Sequence, residues 1–154
     1  MITLELCEDM ALLASIAHDP AVWALVHDDR AADGLTQVNR LYLLVKYGDD
    51  VAGFFALDCL GGDTVEVHTC LLPKYRGRIG LQAGRALIDC AFGRLNQQAI
   101  TTKVPVFNRA ALFFAMKCGF IIVGVDTQSF MRDGVLYDQH MMKIERGGIC
   151  QWQQ

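Results

Sequence analysis

Residues 71–85 read LLPKYRGRIGLQAGR, and the fold and the function are both best approached from this stretch. Leu71 and Leu72 end an apolar segment that is typical of a strand, and Pro73 interrupts it. From Ile79 onward the spacing of apolar residues indicates a helix. The stretch therefore predicts a strand-to-helix junction, with glycines and arginines placed at the start of the helix.

Four residues of the junction carry its chemistry, namely Arg76, Gly77, Arg78 and Gly80. A helix start presents unpaired N–H groups and a partial positive charge. Glycine lets an anion approach the backbone, and arginine adds charge-assisted hydrogen bonds. We expect an anion site here, best suited to a pyrophosphate, in which the anion rather than the fold holds the arginines. A tight turn with solvated arginines is the alternative.

Composition limits the class of protein. The chain has 154 residues, is 53% hydrophobic and carries a net charge of −3. This length suits one domain, which we place at 1–145, with a C-terminal tail at 146–154. The acidic charge argues against a nucleic-acid partner. No apolar run approaches the ~18 residues of a membrane span, and the acidic N-terminus does not resemble a signal peptide, so we expect a cytoplasmic protein with no membrane partner.

The cysteines and histidines form no metal-binding pattern. The six cysteines are far apart without a C-x-x-C, and the four histidines lack an H-x-x-x-H spacing. We expect no metal, and we interpret the cysteines as small buried residues of a reducing compartment. The common nucleotide fingerprints, G-x-x-x-x-G-K-[ST] and a strand-following G-x-G-x-x-G, are also absent.

Apolar periodicity and turn residues predict eleven elements in the order β-α-α-β-β-β-α-β-α-β-β. An antiparallel meander that leads into a β-α-β unit requires a mixed sheet, so the fold class is α+β (mixed α/β). The predicted strands are 3–7, 41–47, 51–60, 64–72, 98–104, 120–125 and 135–144, and the predicted helices are 9–18, 20–26, 79–95 and one from Asn108 to Gly119. Small residues near 83–86 are expected to bring the third helix close to the sheet.

Three motifs occur in an order that resembles the GCN5-related N-acetyltransferases. Pro73–Arg78 (PKYRGR) is similar to the approach to that family's coenzyme-binding signature, in which Ile79 and Leu81 stand here where glycine is usual. Asn108–Phe120 is similar to its later helix, "N-x-x-A … K-x-G-F". Asp133–Asp138 resembles the "D-G-x-x-x-D" of the subgroup that acetylates protein N-termini, ribosomal ones among them.

The resemblance implies a mostly antiparallel twisted sheet of six to seven strands, with helices on both faces. It implies acetyl-CoA as co-substrate, lying in a splay between strands 64–72 and 98–104. The pantetheine would pair with the strand, the pyrophosphate would lie on the junction, and the later helix would line the other side. The implied cofactor-binding residues are Thr69, Cys70, Leu71, Arg76, Gly77, Arg78, Ile79, Gly80, Leu81 and Asn108.

Direct acetyl transfer to an amine needs a neutral amine, a polarised thioester carbonyl and an acid for the departing thiolate. Glu66 and His68 share one face of their strand and are the candidate bases. The alternative for Glu66 is a cross-strand charge pair, and the alternative for His68 is a histidine that is hydrogen-bonded within its strand. Many family members place a tyrosine acid where this sequence has Ala115. Tyr137 and Tyr75 are possible replacements, and the loss of that tyrosine would slow departure of the thiolate without forbidding it.

The acceptor implied is a primary amine, either a protein N-terminus or a small molecule. At pH 7 roughly one in ten α-amines is neutral, against roughly one in two thousand lysines. Asp28, Asp29 and Asp33 could attract a cationic amine, or could simply form a solvated loop. A homodimer is compatible with the sequence.

The sequence leaves two alternative functions open. The first is a non-catalytic interaction or assembly protein on the same scaffold, which Ala115 favours and to which the apolar tail 149–152 would offer a surface. The second, an acetyltransferase toxin acting on aminoacyl-tRNA, ranks last because the basic face and the tyrosine are missing.

Overall fold

The computed structural model describes residues 1–30 and 39–147. Within them, every predicted element is present in the predicted order. The strands are β1 (Ile2–Leu6), β2 (Arg40–Tyr47), β3 (Asp50–Cys59), β4 (Thr64–Leu71), β5 (Ala99–Pro105), β6 (Ile121–Arg132) and β7 (Val135–Glu145). The α-helices are α1 (Met10–Ala17), α2 (Pro20–Val26), α3 (Arg78–Phe92) and α4 (Arg109–Lys117), and a 3-10 turn covers Pro73–Tyr75.

Local signals set the helix boundaries. Asp9 caps α1 by accepting from the Leu12 N–H at 3.1 Å, and Asp19 caps α2 in the same way, with Pro20 in its first turn. Asn108 caps α4 by accepting from the Ala111 N–H at 3.1 Å, as its position in the sequence predicted. These caps fix where each chain segment enters its helix.

The sheet has seven strands in the order β1-β2-β3-β4-β5-β7-β6. β4 and β5 run parallel, and the other neighbours are antiparallel. Buried residues of α1 and α2 pack with Tyr42 and Phe54 on one face, and buried residues of α3 and α4 pack with Phe55 and Val67 on the other. The predicted fold class, with helices on both faces of a mostly antiparallel sheet, is confirmed.

The parallel pair opens partway along its length. β4 and β5 are paired only from Thr64↔Ala99 to Glu66↔Thr101, although both strands continue beyond this point. The Thr102 hydroxyl still reaches the Val67 carbonyl at 3.0 Å, after which the strands separate. The predicted splay between these two strands is therefore present.

Some boundaries and contacts differ from the sequence prediction. β6 continues to Arg132 rather than ending at Val125, because it stays paired with β7 across an irregularity between Asp126 and Phe130. α3 ends at Phe92 rather than near residue 95. Gly84 approaches α4 rather than the sheet, since a Cβ there would lie 2.6 Å from Cys118 Sγ.

The cysteine prediction holds only in part. Among the described cysteines, which are all free, Cys70 and Cys118 are buried, whereas Cys59 is exposed because it lies at the end of β3. Cys150 lies outside the described residues, as does the rest of the apolar tail at 149–152.

The predicted domain boundary at residue 145 stays a prediction. Arg146, which we assigned to the tail, donates its backbone N–H to the Gln98 carbonyl at 2.8 Å and its side chain to the Phe92 and Gln97 carbonyls. No helix in the described part of the chain is both long enough and apolar enough to cross a membrane.

Candidate active site

A cleft of about 750 Å³ lies at the β4–β5 splay and has lining residues from both faces of the sheet. Most of the predicted site residues line it: Glu66, His68, Thr69, Cys70, Leu71, Arg76, Gly77, Gly80, Leu81 and Asn108. Arg78, Ile79 and Tyr137 are not among its lining residues. The splay thus connects the α3/α4 face, which holds the glycines of the junction, with the α1/α2 face, which holds Glu66 and His68.

The backbone of β4 presents only some of its residues to the splay. The amides of Leu60 and Leu72 bond across β3 and β4, to Thr64 and Ala52. Because antiparallel pairs alternate, the even-numbered residues of β4 bond to β3 and the odd-numbered ones face β5. Thr69 and Leu71 therefore direct backbone groups into the cleft. Cys70, which we also predicted to pair with the cofactor, directs its backbone to Phe54 of β3 instead.

The junction leaves a short run of N–H groups at the start of α3. Gly77 is the N-cap with φ 76°, and its carbonyl accepts from the Leu81 N–H at 2.9 Å. The Arg76 N–H bonds to the Pro73 carbonyl at 3.3 Å. Neither Arg76 nor Leu81 thus has a free amide, and the amides of Gly77 and of residues 78–80 are the ones left without an intrahelical partner.

Arg76 differs from the expectation of an arginine held by an anion. Its Nε donates to the Leu71 carbonyl at 3.1 Å, and its Nη2 donates to the Ala21 carbonyl at 3.2 Å. The side chain therefore connects the end of β4 to α2 through the fold itself. Arg78, by contrast, is exposed at the first helical position.

A cluster of charged side chains lies on the α1/α2 face of the sheet. Arg40 donates from Nε to Asp58 Oδ1 at 2.5 Å and from Nη2 to Asp58 Oδ2 at 2.8 Å. His68 Nε2 is also 2.8 Å from Asp58 Oδ2, and Glu66 Oε2 lies 3.8 Å from the same nitrogen. Glu66 and His68 therefore do lie together, as their period-two spacing predicted.

Asp58 stays ionised in this cluster. Burial by itself would raise the pKa of Asp58, but the hydrogen bonds from Arg40 and His68 outweigh it and hold the pKa below its usual 3.8. The same hydrogen bond from Arg40 to Asp58 outweighs burial at the guanidinium and raises the pKa of Arg40. The cluster thus contains a fixed ion pair in contact with an imidazole.

Sequence reasoning missed Arg40 and Asp58. The turn at 61–63 could have revealed Asp58, because a hairpin closed at this turn pairs Asp58 of β3 with Glu66 of β4. Arg40 pairs with Asp58 in turn, on the next strand. A polar residue in the apolar strand FFALDC was the visible anomaly, but its partner depends on strand register.

The cluster also bears on the expected absence of a metal. Ligand atoms of Asp58, Glu66 and His68 all lie within 4.8 Å of one another. The histidine spacing in the sequence could not show this, because the three residues meet only through the pairing of β3 and β4. Arg40 already contacts both oxygens of Asp58 and provides positive charge there. The absence of a metal stays a prediction.

The tyrosines offered as acids do not reach the cleft. The ring of Tyr137 packs edge-on against Phe107, with 4.8 Å between centroids, and Tyr75 is buried near Tyr47. Neither tyrosine is among the lining residues, whereas Ala115 is. The geometry therefore does not support Tyr137 or Tyr75 as the acid.

The thiols of the cleft are neutral. Burial raises the pKa of Cys70 to about 12 and that of Cys118 to about 11. A thiolate, not a thiol, is the nucleophile in covalent catalysis by cysteine. Neither Cys70 nor Cys118 is therefore suited to act as a nucleophile.

The end of α2 and the residues directly after it line the α1/α2 side of the cleft. Trp23 and His27 stack with 3.8 Å between ring centroids, and both line the cleft together with Asp28. Arg30 donates to both oxygens of Asp28, and Gly134 donates its N–H to Asp29 at 3.2 Å. The Arg30 bonds lie within the residues that follow α2, and the bond from Gly134 connects these residues to the β6–β7 turn. Asp33 lies outside the described residues.

A family model described as "Protein of unknown function (DUF2824)" matches residues 6–126. The chain belongs to this family. No match was found among curated protein sequences.

Solved structures resemble the DUF2824 chain over nearly its whole length. Spermidine N-acetyltransferase from Vibrio cholerae, in complex with CoA and spermine, has a TM-score of 0.82 and 17% identity, covering 97% of this chain and 98% of that chain. The spermidine/spermine N-acetyltransferase SpeG of the same organism, in complex with manganese ions, has a TM-score of 0.79 and 16% identity, covering 99% and 97%. The DUF2824 chain therefore has the fold of GCN5-related N-acetyltransferases, as its motifs predicted.

Proposed function

We propose that this protein is an N-acetyltransferase that moves an acetyl group from acetyl-CoA to a primary amine. The observation that carries the proposal is the cleft at the β4–β5 splay, which joins the start of α3 on one face of the sheet to a carboxylate and imidazole cluster on the other. Solved structures with the same fold are named as acetyltransferases of amines, and one of them contains CoA. This fold also hosts other functions, so the argument rests on the cleft.

The coenzyme fits the α3/α4 side of the cleft. Thr69 and Leu71 face the splay with backbone groups that can pair with the amides of a pantetheine. The amides of Arg78, Ile79 and Gly80 open α3, where the helix dipole favours a pyrophosphate. Asn108 and α4 line the opposite wall. These are the residues to which we assign coenzyme binding.

The amine enters from the α1/α2 side. Its nitrogen attacks the thioester carbonyl carbon directly, while a backbone N–H of β4 polarises the carbonyl oxygen. Glu66 or His68 accepts the amine proton, because both line the cleft on this face. The C–S bond then breaks, the thiolate takes a proton from solvent, and the acetylated amine departs.

The acceptor is a cationic primary amine in our proposal. Asp28, Asp58 and Glu66 place carboxylates on the acceptor side, and within the described part of the chain arginines bond to Asp28 and Asp58 but not to Glu66. The solved neighbours are named for spermidine and spermine, which makes a small polyamine one candidate class. A protein N-terminus, which the Asp133–Asp138 motif favoured, is the other, and mass spectrometry of products distinguishes them.

A non-catalytic assembly protein is the second candidate function. It is favoured by Ala115 at the usual tyrosine position and by the absence of Tyr75 and Tyr137 from the cleft lining. A protein of this kind would keep the fold without turnover. The cytoplasmic location and the homodimer stay predictions.

Thermal unfolding with acetyl-CoA tests the proposal. A ligand at a hundredfold excess over its Kd stabilises the native state by ~2.7 kcal/mol, which for this length raises Tm by roughly 5–10 °C. Incubation of the same sample with spermidine or with an N-terminal peptide should then give a mass increase of one acetyl group. A melt unaffected by millimolar acetyl-CoA would exclude the coenzyme and favour the assembly protein.

A further inference from the structure

Both oxygens of Asp58 are committed to donors. Arg40 approaches through two nitrogens, one to each oxygen, and its side chain is only 9% exposed. An ionised carboxylate accepts hydrogen bonds but cannot donate them. The nitrogen of His68 that lies 2.8 Å from Asp58 Oδ2 must therefore carry a hydrogen, and that nitrogen is Nε2.

A neutral imidazole carries one N–H, so a hydrogen on Nε2 leaves the lone pair on Nδ1. No hydrogen bond to Nδ1 is found within the described residues, and the His68 side chain is 44% exposed where it lines the cleft. Nδ1 is thus the ring nitrogen that is available to accept a proton from a bound molecule.

We propose that Asp58, held by Arg40, is a positioning residue that fixes the tautomer of His68, so that Nδ1 serves as the base that deprotonates the acceptor amine. This inference rests on the proposed acetyl transfer and decides between its two candidate bases. The amine proton moves to Nδ1 as the N–C bond forms, and the C–S electron pair leaves with sulfur. Glu66 Oε2 lies 3.8 Å from Nε2, beyond hydrogen-bond distance of the ring.

The Asp58→Asn variant inverts the hydrogen bond to His68. Arg40 can only donate, so the amide oxygen of the new side chain turns towards Arg40 and its NH2 group turns towards His68. Nε2 must then accept, and the ring hydrogen moves to Nδ1. Because this change removes the lone pair from Nδ1 without removing the imidazole, it separates the role of the tautomer from that of the residue.

Nitrogen-15 NMR of histidine-labelled protein without substrate, at a pH where the ring is neutral and with EDTA present, measures the tautomer directly. We expect the Nε2–H form of His68 in the wild type, the Nδ1–H form in Asp58→Asn, and the Nε2–H form in the matched variant Glu66→Gln. A wild-type Nδ1–H form would overturn the inference. The wild-type spectrum decides this even if Asp58→Asn fails to fold.

Activity supplies the second readout. Asp58→Asn should lower kcat by about 10²- to 10⁴-fold, the usual contribution of general base catalysis, and leave the KM for acetyl-CoA unchanged. Asp58→Glu, which keeps an acceptor carboxylate, should recover part of the loss. Unchanged kcat in an Asp58→Asn protein that has the Nδ1–H form would overturn the role of Nδ1. A wild type with the Nε2–H form but no acetyl transfer would overturn the proposed function, and the tautomer assignment would stand.

Discussion

At the scale of single residues, the Asp58 carboxylate connects stability to pH. Its pKa in the folded protein is lowered below 3.8, so the native state prefers the ionised form more strongly than the unfolded chain does. The corresponding stabilisation is complete above the unfolded pKa and is lost as the pH falls through the folded pKa.

We therefore expect Asp58→Asn to lower the free energy of unfolding by about 1.5–3 kcal/mol at pH 7, the value of hydrogen bonds to a charged group. The difference from the wild type should shrink as the pH falls below about 4, since the wild type then loses the same charge. Urea unfolding at a series of pH values measures both. A difference that stays constant down to pH 2 would show that the ionised form is not the source of the stability.

Arg76 and Arg78 have different roles although they stand two positions apart. Arg76 bonds to two carbonyls, so Arg76→Ala should cost about 1 kcal/mol of stability. Arg78→Glu should not destabilise the protein, because an acidic residue in the first turn of a helix is favourable. Arg78→Glu should nonetheless weaken the binding of coenzyme A at least tenfold, because the new carboxylate repels the pyrophosphate. The binding of pantetheine should be unchanged.

Calorimetry and urea unfolding check these two variants, with Arg85→Glu as the matched control because Arg85 is exposed on α3 beyond its first turn. If Arg78→Glu and Arg85→Glu weaken coenzyme A equally, the effect is one of general charge and the pyrophosphate site is not at the helix start.

At the scale of elements, Gly53 decides how closely β3 passes β4. Its φ is +153°, and a Cβ there would lie 2.1 Å from the Cys70 carbonyl oxygen and 2.8 Å from Leu71 Cα. The register of β2 on β3 shifts next to this residue, between Val45 and Lys46. The end of β4 that faces the cleft therefore owes its position to a residue without a side chain.

Gly53→Ala should destabilise the protein by at least about 2 kcal/mol more than Gly124→Ala, because backbone atoms cannot move aside as a flexible side chain can. Gly124 is the matched strand glycine, since its nearest heavy atom to a Cβ is Met141 Sδ at 3.7 Å. Gly53→Ala should also weaken the binding of acetyl-CoA, because the new Cβ would displace Cys70 and Leu71, which line the cleft. Equal stability of the two variants would mean that β4 is not held at this point.

The elements were predictable from sequence where the signals are local. Pro20, Asn108 and Gly119 stop or start helices whatever the rest of the chain does, and these boundaries agree with the structure. The extension of β6 to Arg132 was missed because polar residues follow Asp126, and only pairing with β7 keeps them in a strand. The Asp58 and Arg40 partners were missed for the same reason, since register is a tertiary property.

At the scale of the whole molecule, the proposed function assigns the coenzyme and the acceptor to opposite sides of the sheet. Residues assigned to the coenzyme lie on the α3/α4 side, and Glu66, His68 and Asp58 lie on the α1/α2 side. Within the described residues, the cleft joins the two sides where β4 and β5 separate. A parallel pair that stayed closed along its length would hold the same residues without letting the two substrates touch.

This separation predicts that coenzyme and acceptor contributions to binding are additive. The probe is coenzyme A joined through an acetyl linker to a diamine, which spans both sides of the cleft. Arg78→Glu should weaken both coenzyme A and the conjugate, whereas Glu66→Gln should weaken only the conjugate, because its carboxylate faces the amine and not the pyrophosphate. Calorimetry measures the binding free energy that each variant loses for the conjugate. The loss in the double variant should equal the sum of the losses in the two single variants to within about 0.5 kcal/mol, as for distant sites without shared partners. A loss of coenzyme A affinity in Glu66→Gln, or a coupling free energy well above this value, would mean that both groups act in one shared pocket and that the sheet does not divide them.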